Sequence, residues 1–358
     1  MSIKVDAKVL LEGIKKVVKV TKASSLNFKF SKGNVRISSV INQYQMELNL
    51  PIECQEDMQF CILAETISPV LEGKTVIEFS LENNALKFKS GRAKGELITL
   101  PYEEIDITLD NGEELNPAIK EYIFQNIYRV NYTGKNVSSS IPLQIQIKDT
   151  KLKMLCMDPY FSGFIEDEVG DAGDTEFKIL LSYAVLITEI FKKEDSLKII
   201  TTPTSIEMSS PNIKIILPKI AEGESNTIEE MENVIKENVV GEDLNGSIIF
   251  KDSKQFLADI DELKTFTGDD PKSKIRFFKS KGSEDCIITV DTQNGKLKKK
   301  LDEIKAMGAF DSQFNIDNFR TCIEKNIEGH IRLSFYTNFC TIKCDKFKKS
   351  IYIVLETK

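Results

Sequence analysis

Residues 76–101 read VIEFSLENNALKFKSGRAKGELITLP, and this stretch decides the fold because the chain repeats its pattern. Apolar and polar residues alternate on both sides of Asn83-Asn84, as in two strands joined by a tight turn, and a third apolar strand follows. The same order returns at 197–218 (LKIITTPTSIEMSSPNIKIILP) and at 330–356 (HIRLSFYTNFCTIKCDKFKKSIYIVLE). These three copies predict an internal repeat.

Two helix-like segments precede each copy. The first helices are predicted at Asp6–Lys22, Asn116–Asn131 and Asp252–Phe266, and the second at Glu65–Glu72, Ser182–Glu194 and Ile316–Asn326. In every unit the second helix begins roughly 60 residues after the first, a spacing that chance would rarely produce three times.

Further alternating runs lie between the two helices of each unit, such as SLNFKFSKGNVRISSV at 25–40. The repeated unit is therefore helix, strands, helix, strands, which predicts an α+β fold with helices segregated to one face of antiparallel sheets. The acidic stretch 221–243 is interpreted as a connector between the second and third domains, or alternatively as a solvated helix face. The repeat places the three domains at 1–113, 114–241 and 242–358.

Composition excludes several classes of protein. The chain has 358 residues, a net charge of −7 and a single His, His330, which excludes a site with two His ligands and most catalysis that depends on His. The seven Cys are scattered without a C-x-x-C pair, which indicates reduced thiols and a cytoplasmic location. No apolar run is long enough to span a membrane, and the polar N-terminus is unlike a signal peptide.

The first predicted helix carries a cationic stripe. At about 100° per residue its apolar face holds Leu10, Ile14, Val17 and Val18, whereas the opposite face holds Lys8, Lys15, Lys19 and Lys22. Such a stripe attracts a phosphate backbone because each Lys displaces a condensed counterion. The alternative is an ordinary solvated helix surface. Because the whole chain is acidic, any contact with DNA would depend on a local basic surface or on topology.

Other helices add basic residues that are consistent with a lining contributed by all three domains. Arg129 and Lys254 lie in the first helices of the second and third units. The second helices, and the residues that follow them, contribute Lys192, Lys193, Arg320 and Lys325.

Two motifs resemble the bacterial DNA polymerase III β sliding clamp family. Lys89-Ser90-Gly91-Arg92-Ala93-Lys94, followed by Thr99-Leu100-Pro101, resembles that family's Ser-Gly-Arg strand leading into Thr-Leu-Pro at the end of its first domain. Leu155-Cys156-Met157-Asp158 resembles the family's apolar strand that ends in Asp before the partner-binding loop. The resemblance covers the whole chain, with three domains in order and a typical length.

The loop after Asp158 departs from the family pattern. Many bacterial clamps continue with Gly-His-Arg-Leu, whereas this chain continues with Pro159-Tyr160-Phe161-Ser162. Aromatic residues replace basic ones, which indicates a divergent clamp, such as one encoded by a phage or another mobile replicon, with an altered specificity for partner peptides.

The resemblance implies a non-enzymatic processivity factor that needs no cofactor. Two chains would join head to tail into a homodimeric ring, with helices lining the hole and sheets outside. The ring would enclose duplex DNA, tether a polymerase and bind a clamp loader through short peptide motifs. Contacts with DNA would be independent of its sequence. By position they would come from Lys8, Lys15, Lys19, Lys22, Arg92, Arg129, Lys192, Lys193, Lys254 and Arg320.

The resemblance also implies an apolar pocket for partner peptides and an interface that closes the ring. A preformed groove would accept a few anchor side chains, and edge strands of the first and third domains would pair. The alternative interpretation of the apolar residues named below is that each belongs to the ordinary hydrophobic core. Leu97 and Phe266 are the interface candidates. The pocket positions are Leu155, Pro159, Tyr160, Phe161, Leu217, Pro218, Ile353, Val354 and Leu355.

Several short motifs could suggest a nucleotide-binding, metal-binding or DNA-binding site, and each has another interpretation. Gly73-Lys74-Thr75 is not a phosphate-binding loop, because Ser68 stands where that motif needs Gly. Asp259, Asp261 and Asp269-Asp270 are interpreted as surface charge rather than a metal site. His330 is interpreted as structural. The run Lys296–Lys300 either approaches DNA or protects an edge strand.

Two other functional classes stay open at the level of sequence. One is a metal-dependent enzyme of DNA processing, such as a nuclease, which would hydrolyse DNA with magnesium. The other is a structural assembly protein built from repeated α+β units, which would form filaments or shells. The Lys stripe and the Ser-Gly-Arg strand favour the clamp over both.

Overall fold

The computed structural model describes most of the chain, in two compact units. The units comprise Met1–Pro117 with Leu186–Lys219, and Ala118–Val185 with Ile220–Lys358. The described residues are 2–54, 56–109, 112–116, 119–131, 141–158, 161–171, 173–220, 227–235, 244–268, 270, 272–292, 295–325, 329–345 and 350–355.

The elements follow one another in an order that recurs three times. The first module contains β1 (Ile3–Asp6), α1 (Ala7–Thr21), β2 (Ser25–Ser31), β3 (Asn34–Ile41), β4 (Tyr44–Leu50), β5 (Met58–Leu63), α2 (Ala64–Leu71), β6 (Val76–Glu82), β7 (Ala85–Ser90) and β8 (Ala93–Ile98). The second module contains β9 (Glu113–Glu114), α3 (Lys120–Val130), β10 (Pro142–Lys148), β11 (Lys151–Met157), β12 (Phe161–Glu168), β13 (Thr175–Leu180), α4 (Leu181–Phe191), β14 (Lys198–Thr201), β15 (Ser205–Ser209) and β16 (Ile213–Pro218).

The third module adds one strand to this order and is preceded by a short helix, α5 (Ile228–Val234). The module contains β17 (Gly246–Phe250), α6 (Ser253–Thr267), β18 (Lys274–Lys279), β19 (Ile287–Thr292), β20 (Gly295–Lys300), β21 (Ile304–Gly308), β22 (Phe310–Asn315), α7 (Ile316–Glu324), β23 (Ile331–Phe335), β24 (Phe339–Cys344) and β25 (Ser350–Leu355).

Strand pairing repeats as well. The strands between the two helices of each module are hydrogen-bonded in the orders β5-β2-β3-β4, β13-β10-β11-β12 and β22-β18-β19-β20. The remaining strands pair as β1-β6-β7-β8, β9-β14-β15-β16 and β17-β23-β24-β25. All of these pairs are antiparallel. The predicted threefold α+β fold is therefore confirmed, whereas the residue-level domain boundaries stay a prediction.

Successive modules are joined by strand pairing. In the first unit β4 pairs with β16, with Leu48 opposite Ile213. In the second unit β12 pairs with β25, with Phe161 opposite Val354. These pairs fuse module sheets into sheets of eight and nine described strands, and β21 forms one edge of the larger sheet. In contrast, β8 and β20 are the outer strands of two separate four-stranded sheets.

Side-chain caps fix the start of α1 and of α6, whereas α3 has no side-chain cap. The Asp6 carboxylate accepts hydrogen bonds from the backbone N–H groups of Lys8 and Val9 at 2.9 and 3.0 Å. Asp252 caps α6 in the same way. Such caps satisfy N–H groups that a helix leaves unpaired at its N-terminus. The helix α3 begins at Lys120 rather than at Asn116 as predicted, because a residue that precedes Pro disfavours the helical conformation.

The first helix of each module packs on the same two strands: α1 on β3 and β4, α3 on β11 and β12, and α6 on β19 and β20. Leu10, Ile14 and Val17 are buried beneath α1, as their helical spacing predicts. Gly13 allows a close approach, since an added Cβ would lie 2.7 Å from Cδ1 of Leu50. The core of every module therefore lies between its helices and its sheets.

An aromatic cluster forms the core of the third module. Phe277 is fully buried, and its ring centroid lies 5.0 Å from that of Phe319 and 5.6 Å from that of Phe335. The next residue, Phe278, points to the other face of β18 and is 37% exposed. The alternation of the strand thus separates two adjacent Phe residues into core and surface.

We expect Phe277→Ala to lower the free energy of unfolding by about 3–5 kcal/mol, because it leaves a cavity in this cluster. Phe278→Ala is the matched control and should cost less than about 1 kcal/mol. Urea denaturation of both variants measures the difference. Equal losses would contradict the assignment of the two faces of β18.

Candidate nucleic-acid and partner interfaces

The lysines of α1 form an exposed cationic surface. Lys8, Lys15 and Lys19 lie opposite the buried face of the helix, and Lys22 follows at its C-terminal cap with a φ of 56°. Lys16, which was absent from the predicted stripe, is exposed beside them. Only Lys19 of this group has an ion pair among the described residues, with Glu189 at 2.8 Å. Both side chains of that pair are about 60% exposed, so the ion pair is weak. Lys19 can therefore exchange Glu189 for a phosphate.

Several other predicted basic residues are also exposed. Arg92 lies in the turn between β7 and β8, beside Gly91 with its φ of 58°. Lys192 and Lys193 directly follow α4, and Lys254 lies in the first turn of α6. These residues are accessible in their own units and stay candidates for phosphate contacts.

The structure removes Arg129 from the candidate DNA surface. Its side chain is 7% exposed, because it lies on the face of α3 that packs against the sheet. The guanidinium donates a hydrogen bond to Oδ1 of Asn126 at 2.8 Å and lies 3.9 Å from Oδ2 of Asp167. Burial lowers the pKa of this guanidinium, and the nearby Tyr352 and Asp167 oppose that effect. Arg129 is therefore a structural residue, and the sequence-based assignment was wrong.

Arg320 is hydrogen-bonded to two acidic neighbours. Its guanidinium donates hydrogen bonds to the carboxylate of Asp261 on α6 and, at 2.8 Å, to Glu324 one turn further along α7. The hydrogen bond to Asp261 raises the pKa of Arg320. Since two carboxylates already neutralise this cation, its contribution to DNA binding would be small.

Lys325 is not available for a phosphate contact either. Its Nζ is buried without a hydrogen-bond partner among the described residues and lies 5.1 Å from the centre of the Tyr128 ring. Burial lowers the pKa of the Lys325 ammonium to about 8. The basic surface is thus strongest on α1 and weaker on the helices of the other modules.

Four of the predicted pocket residues, Leu155, Phe161, Ile353 and Val354, lie on two different faces of the nine-stranded sheet. Leu155 and Ile353 belong to an apolar cluster that α5 covers. Phe161 and Val354 are each 2% exposed, and they share the opposite face with Tyr352, which donates a hydrogen bond to the carbonyl of Arg129 on α3. Phe161 and Val354 are therefore core residues on the face of the sheet opposite the apolar cluster that contains Leu155.

The other pocket positions are placed only in part. Pro159, Tyr160 and the side chain of Leu355 lie outside the described residues. Leu217 is buried in β16 of the first unit and Pro218 is half-buried at the end of that strand.

The two candidates for the ring interface lie in or beside strands that are outer strands of their sheets among the described residues. Leu97 is half-buried in β8. Phe266 is 42% exposed at the end of α6, and its ring lies beside the start of β20, since a Cβ added to Gly295 would be 3.7 Å from Cζ of Phe266. Exposed apolar residues near unpaired strands are what an edge-to-edge contact requires. Ile98, at the end of β8, is 81% exposed and was missed by the sequence analysis.

The described residues contain no group of three or more side chains suited to hold a metal ion. Asp259 is buried and pairs with Lys299 at 2.9 Å, and Nδ1 of His330 lies 3.0 Å from Asp345. Within the same ranges, every helix is too short or too polar to cross a bilayer.

Repeated α+β modules whose sheets fuse at their edges define the clamp class of fold. No protein-family model matches the sequence, and neither does any curated protein. Solved structures do match over the full length of this chain. The DNA polymerase III β subunit of Thermotoga maritima is 13% identical with a TM-score of 0.78, and the alignment covers 99% of that chain.

Two further solved structures match the chain over its full length. The DNA polymerase sliding clamp of Bacillus subtilis is 14% identical with a TM-score of 0.79, and the DNA polymerase III β subunit of Borrelia burgdorferi is 13% identical with a TM-score of 0.80. Each alignment covers 100% of this chain and 99% of the other. The chain therefore has the fold of the bacterial β sliding clamps.

We expect Arg129→Ala to lower the free energy of unfolding by roughly 1.5–3 kcal/mol, because it removes the charge-assisted hydrogen bond to Asn126 and the nearby positive charge that faces Asp167. The control is Lys8→Ala, which truncates an exposed cation and should change stability by less than about 0.5 kcal/mol. Thermal and urea denaturation measure both. If Arg129→Ala were as stable as Lys8→Ala, Arg129 would return to the candidate DNA surface.

Proposed function

We propose that the protein is a DNA sliding clamp, a ring of two chains that encloses duplex DNA and tethers a polymerase. The observation that carries the proposal is a pair of sheet edges that no other described strand pairs with, β8 in the first module and β20 in the third. Within the chain, the equivalent strands of other modules pair with each other. A second copy supplies the missing partner for each edge, and such a head-to-tail contact closes into a ring when its rotation permits.

The pairing inside the chain predicts the register between copies. Ile41 pairs with Tyr44 at the closed end of the β3–β4 hairpin, and Thr292 pairs with Gly295 at the closed end of the β19–β20 hairpin. Aligning these two pairs makes β20 equivalent to β4, with Gly295 at the position of Tyr44. In the same way, Ser210 and Ile213 are hydrogen-bonded at the turn before β16, and Ser90 pairs with Ala93 at the turn before β8. Aligning these pairs makes β8 equivalent to β16, with Ala93 at the position of Ile213.

Transferring the register of β4 and β16 then fixes the residues that meet. Because Ile216 lies opposite Gln45, Glu96 of one chain should face Lys296 of the other. The next pair is Leu97 and Gly295, and Gly295 lies beside Phe266. The register therefore supports Leu97 and Phe266 as interface residues, and it adds an opposite-charge pair to them.

Enclosure explains how an acidic protein would hold DNA. The chain carries a net charge of −7, which opposes tight electrostatic binding. A ring needs only weak, exchangeable phosphate contacts, and the exposed lysines of α1 supply them. Contacts of this kind carry no sequence information and permit sliding.

Partners would be a polymerase and a clamp loader, bound through short peptides near the apolar cluster that contains Leu155 and Ile353. The proposal assigns the chain no catalytic role and no cofactor. Its support is the shared fold of clamps, the cationic face of α1 and the two free edges.

We expect the protein to remain on covalently closed circular DNA at high salt and to leave the same plasmid after a single cut. High salt removes phosphate contacts but not a topological link. The measurement is co-elution with DNA in gel filtration, after an incubation long enough for rings to open and close. Blocking both ends of the linear DNA with a bulky protein is the control and should restore retention. Equal loss from circular and linear DNA would refute enclosure.

We expect Glu96→Lys to raise the dissociation constant of the dimer about tenfold, because it sets like charges opposite each other in both contacts of the ring. Lys296→Glu combined with Glu96→Lys should restore dimerisation. The control Glu72→Lys makes the same charge change at an exposed position after α2. Sedimentation equilibrium measures all variants, and failure of the double variant to recover would contradict this register.

A further inference from the structure

Three cations lie on one face of the nine-stranded sheet, in the strands of the third module. Arg332 in β23 is directly opposite Lys343 in β24. On its other side Arg332 is opposite Ile249 in β17, and Ile249 is in turn opposite Lys305 in β21. Residues that are directly opposite in antiparallel strands share a face and lie about 5 Å apart. Lys305, Arg332 and Lys343 therefore form a basic patch around Ile249.

The basic patch is on the solvent side of its strands. Lys305 and Arg332 are exposed and Lys343 is half-buried, whereas the strand neighbours of Arg332 are fully buried. Nearby cations of the third module have acidic partners, as in the ion pair of Lys299 with Asp259. Within the ranges that the structure describes, none of the three cations of the basic patch forms an ion pair.

The position of Arg332 opposite Lys343 is unfavourable for folding. Like charges that are directly opposite in antiparallel strands repel each other. Burial lowers the pKa of the Lys343 ammonium, and the neighbouring Arg332 lowers it further. Both effects disfavour the charged form of Lys343, and an anion bound at the basic patch would favour that form and offset the repulsion.

The turn between these two strands allows the three modules to be aligned. It comprises residues 337–338 in the third module, 203–204 in the second and 83–84 in the first. In each case the residues that flank the two turn residues are hydrogen-bonded or paired with each other. Residues at the same distance from these turns are therefore equivalent.

The pairs equivalent to Arg332 and Lys343 are not two cations. In the first module the pair is Glu78 and Lys89, which have opposite charges. In the second module it is Lys198 and Ser209, and Lys198 forms an ion pair with Glu114 at 2.8 Å. The fold therefore does not require two adjacent cations here, and the basic patch is a feature of the third module.

Apolar side chains share the face of the basic patch. Ile249 is half-buried between Lys305 and Arg332, and Met307, two residues after Lys305, is 68% exposed. Cations beside exposed apolar side chains are complementary to a peptide that carries both carboxylates and apolar residues. Single-stranded nucleic acid is a poorer match, because its bases usually stack on exposed aromatic rings, and Phe335 and Tyr336 at the end of β23 are buried.

We propose that the basic patch binds an acidic segment of a partner protein, with carboxylates on Arg332 and Lys343 and an apolar side chain against Ile249 and Met307. Three strand spacings separate β21 from β24, or roughly 14 Å, which an extended peptide covers with four to five residues at about 3.3 Å each. The inference goes beyond the proposed function, because the basic patch lies outside both the candidate peptide pocket and the cationic surface of α1.

The test is fluorescence anisotropy with a labelled peptide of about ten residues, in which Asp and Glu flank a central Leu. Arg332→Glu with Lys343→Glu should weaken binding at least about tenfold, because carboxylates of the peptide then meet like charges. The matched control is Lys89→Glu with Lys198→Glu, which makes the same change in net charge at the equivalent positions of the other modules. It should bind as the wild type does, and equal losses in both double variants would overturn the proposal.

A single substitution separates binding from folding. Lys343→Glu places opposite charges across β23 and β24, as Glu78 and Lys89 do in the first module. It should therefore raise the melting temperature and at the same time weaken binding of the peptide. Unchanged peptide binding by this variant would contradict the proposal. A peptide with Asn and Gln in place of Asp and Glu should not bind to the wild type.

A labelled oligothymidylate of similar length tests nucleic acid as the ligand. It should bind equally to the wild type and to the variant with both Arg332→Glu and Lys343→Glu. Loss of oligonucleotide binding in that variant, with no binding of the acidic peptide to the wild type, would overturn the proposal.

These outcomes are independent of the ring. The variant with both Arg332→Glu and Lys343→Glu should be retained on circular DNA like the wild type, since α1 is unchanged. A protein that is retained on circles but binds no acidic peptide would keep the proposed function and lose the peptide site. A protein that binds the peptide but is not retained would keep the peptide site and lose the proposed function.

Discussion

Hydrogen bonding between the edge strands of successive modules is the constraint on which the structure depends. A strand at the edge of a sheet exposes a row of unpaired N–H and C=O groups, and these need a partner. The chain satisfies two such edges internally, by pairing β4 with β16 and β12 with β25. The same rule, applied to β8 and β20, underlies the proposed ring. In that proposal, ring closure and fusion of the sheets are the same kind of strand pairing.

Repetition of the module does not repeat its surface. In every module the first helix packs on two equivalent strands, so its buried face is fixed by the fold. The exposed face is free to differ. On α1 it carries lysines, on α3 it carries Tyr122 and Tyr128, and on α6 the carboxylate of Asp261 binds Arg320. The cationic surface is therefore concentrated in the first module.

The second module differs from the first on the other face of its sheet. Ion pairs around Arg36 make that face polar in the first unit, whereas Leu155, Phe164, Ile351 and Ile353 make it apolar in the second. The helix α5 covers this apolar face and packs Ile228 and Met231 against it.

The sequence by itself determined the three modules, the positions of their helices and the lysine stripe of α1. These follow from local periodicity, which residues a few positions apart already express. The tertiary structure decided which face each strand residue occupies and which cations stay free. Arg129 illustrates the difference, since its burial follows from the sheet beneath α3, where Tyr352, 223 residues away, donates a hydrogen bond to its carbonyl. The separation of Phe161 from Leu155 and the seat of α5 likewise depend on pairing between β12 and β25, because only contacts between distant segments assign a period-2 pattern to core or surface.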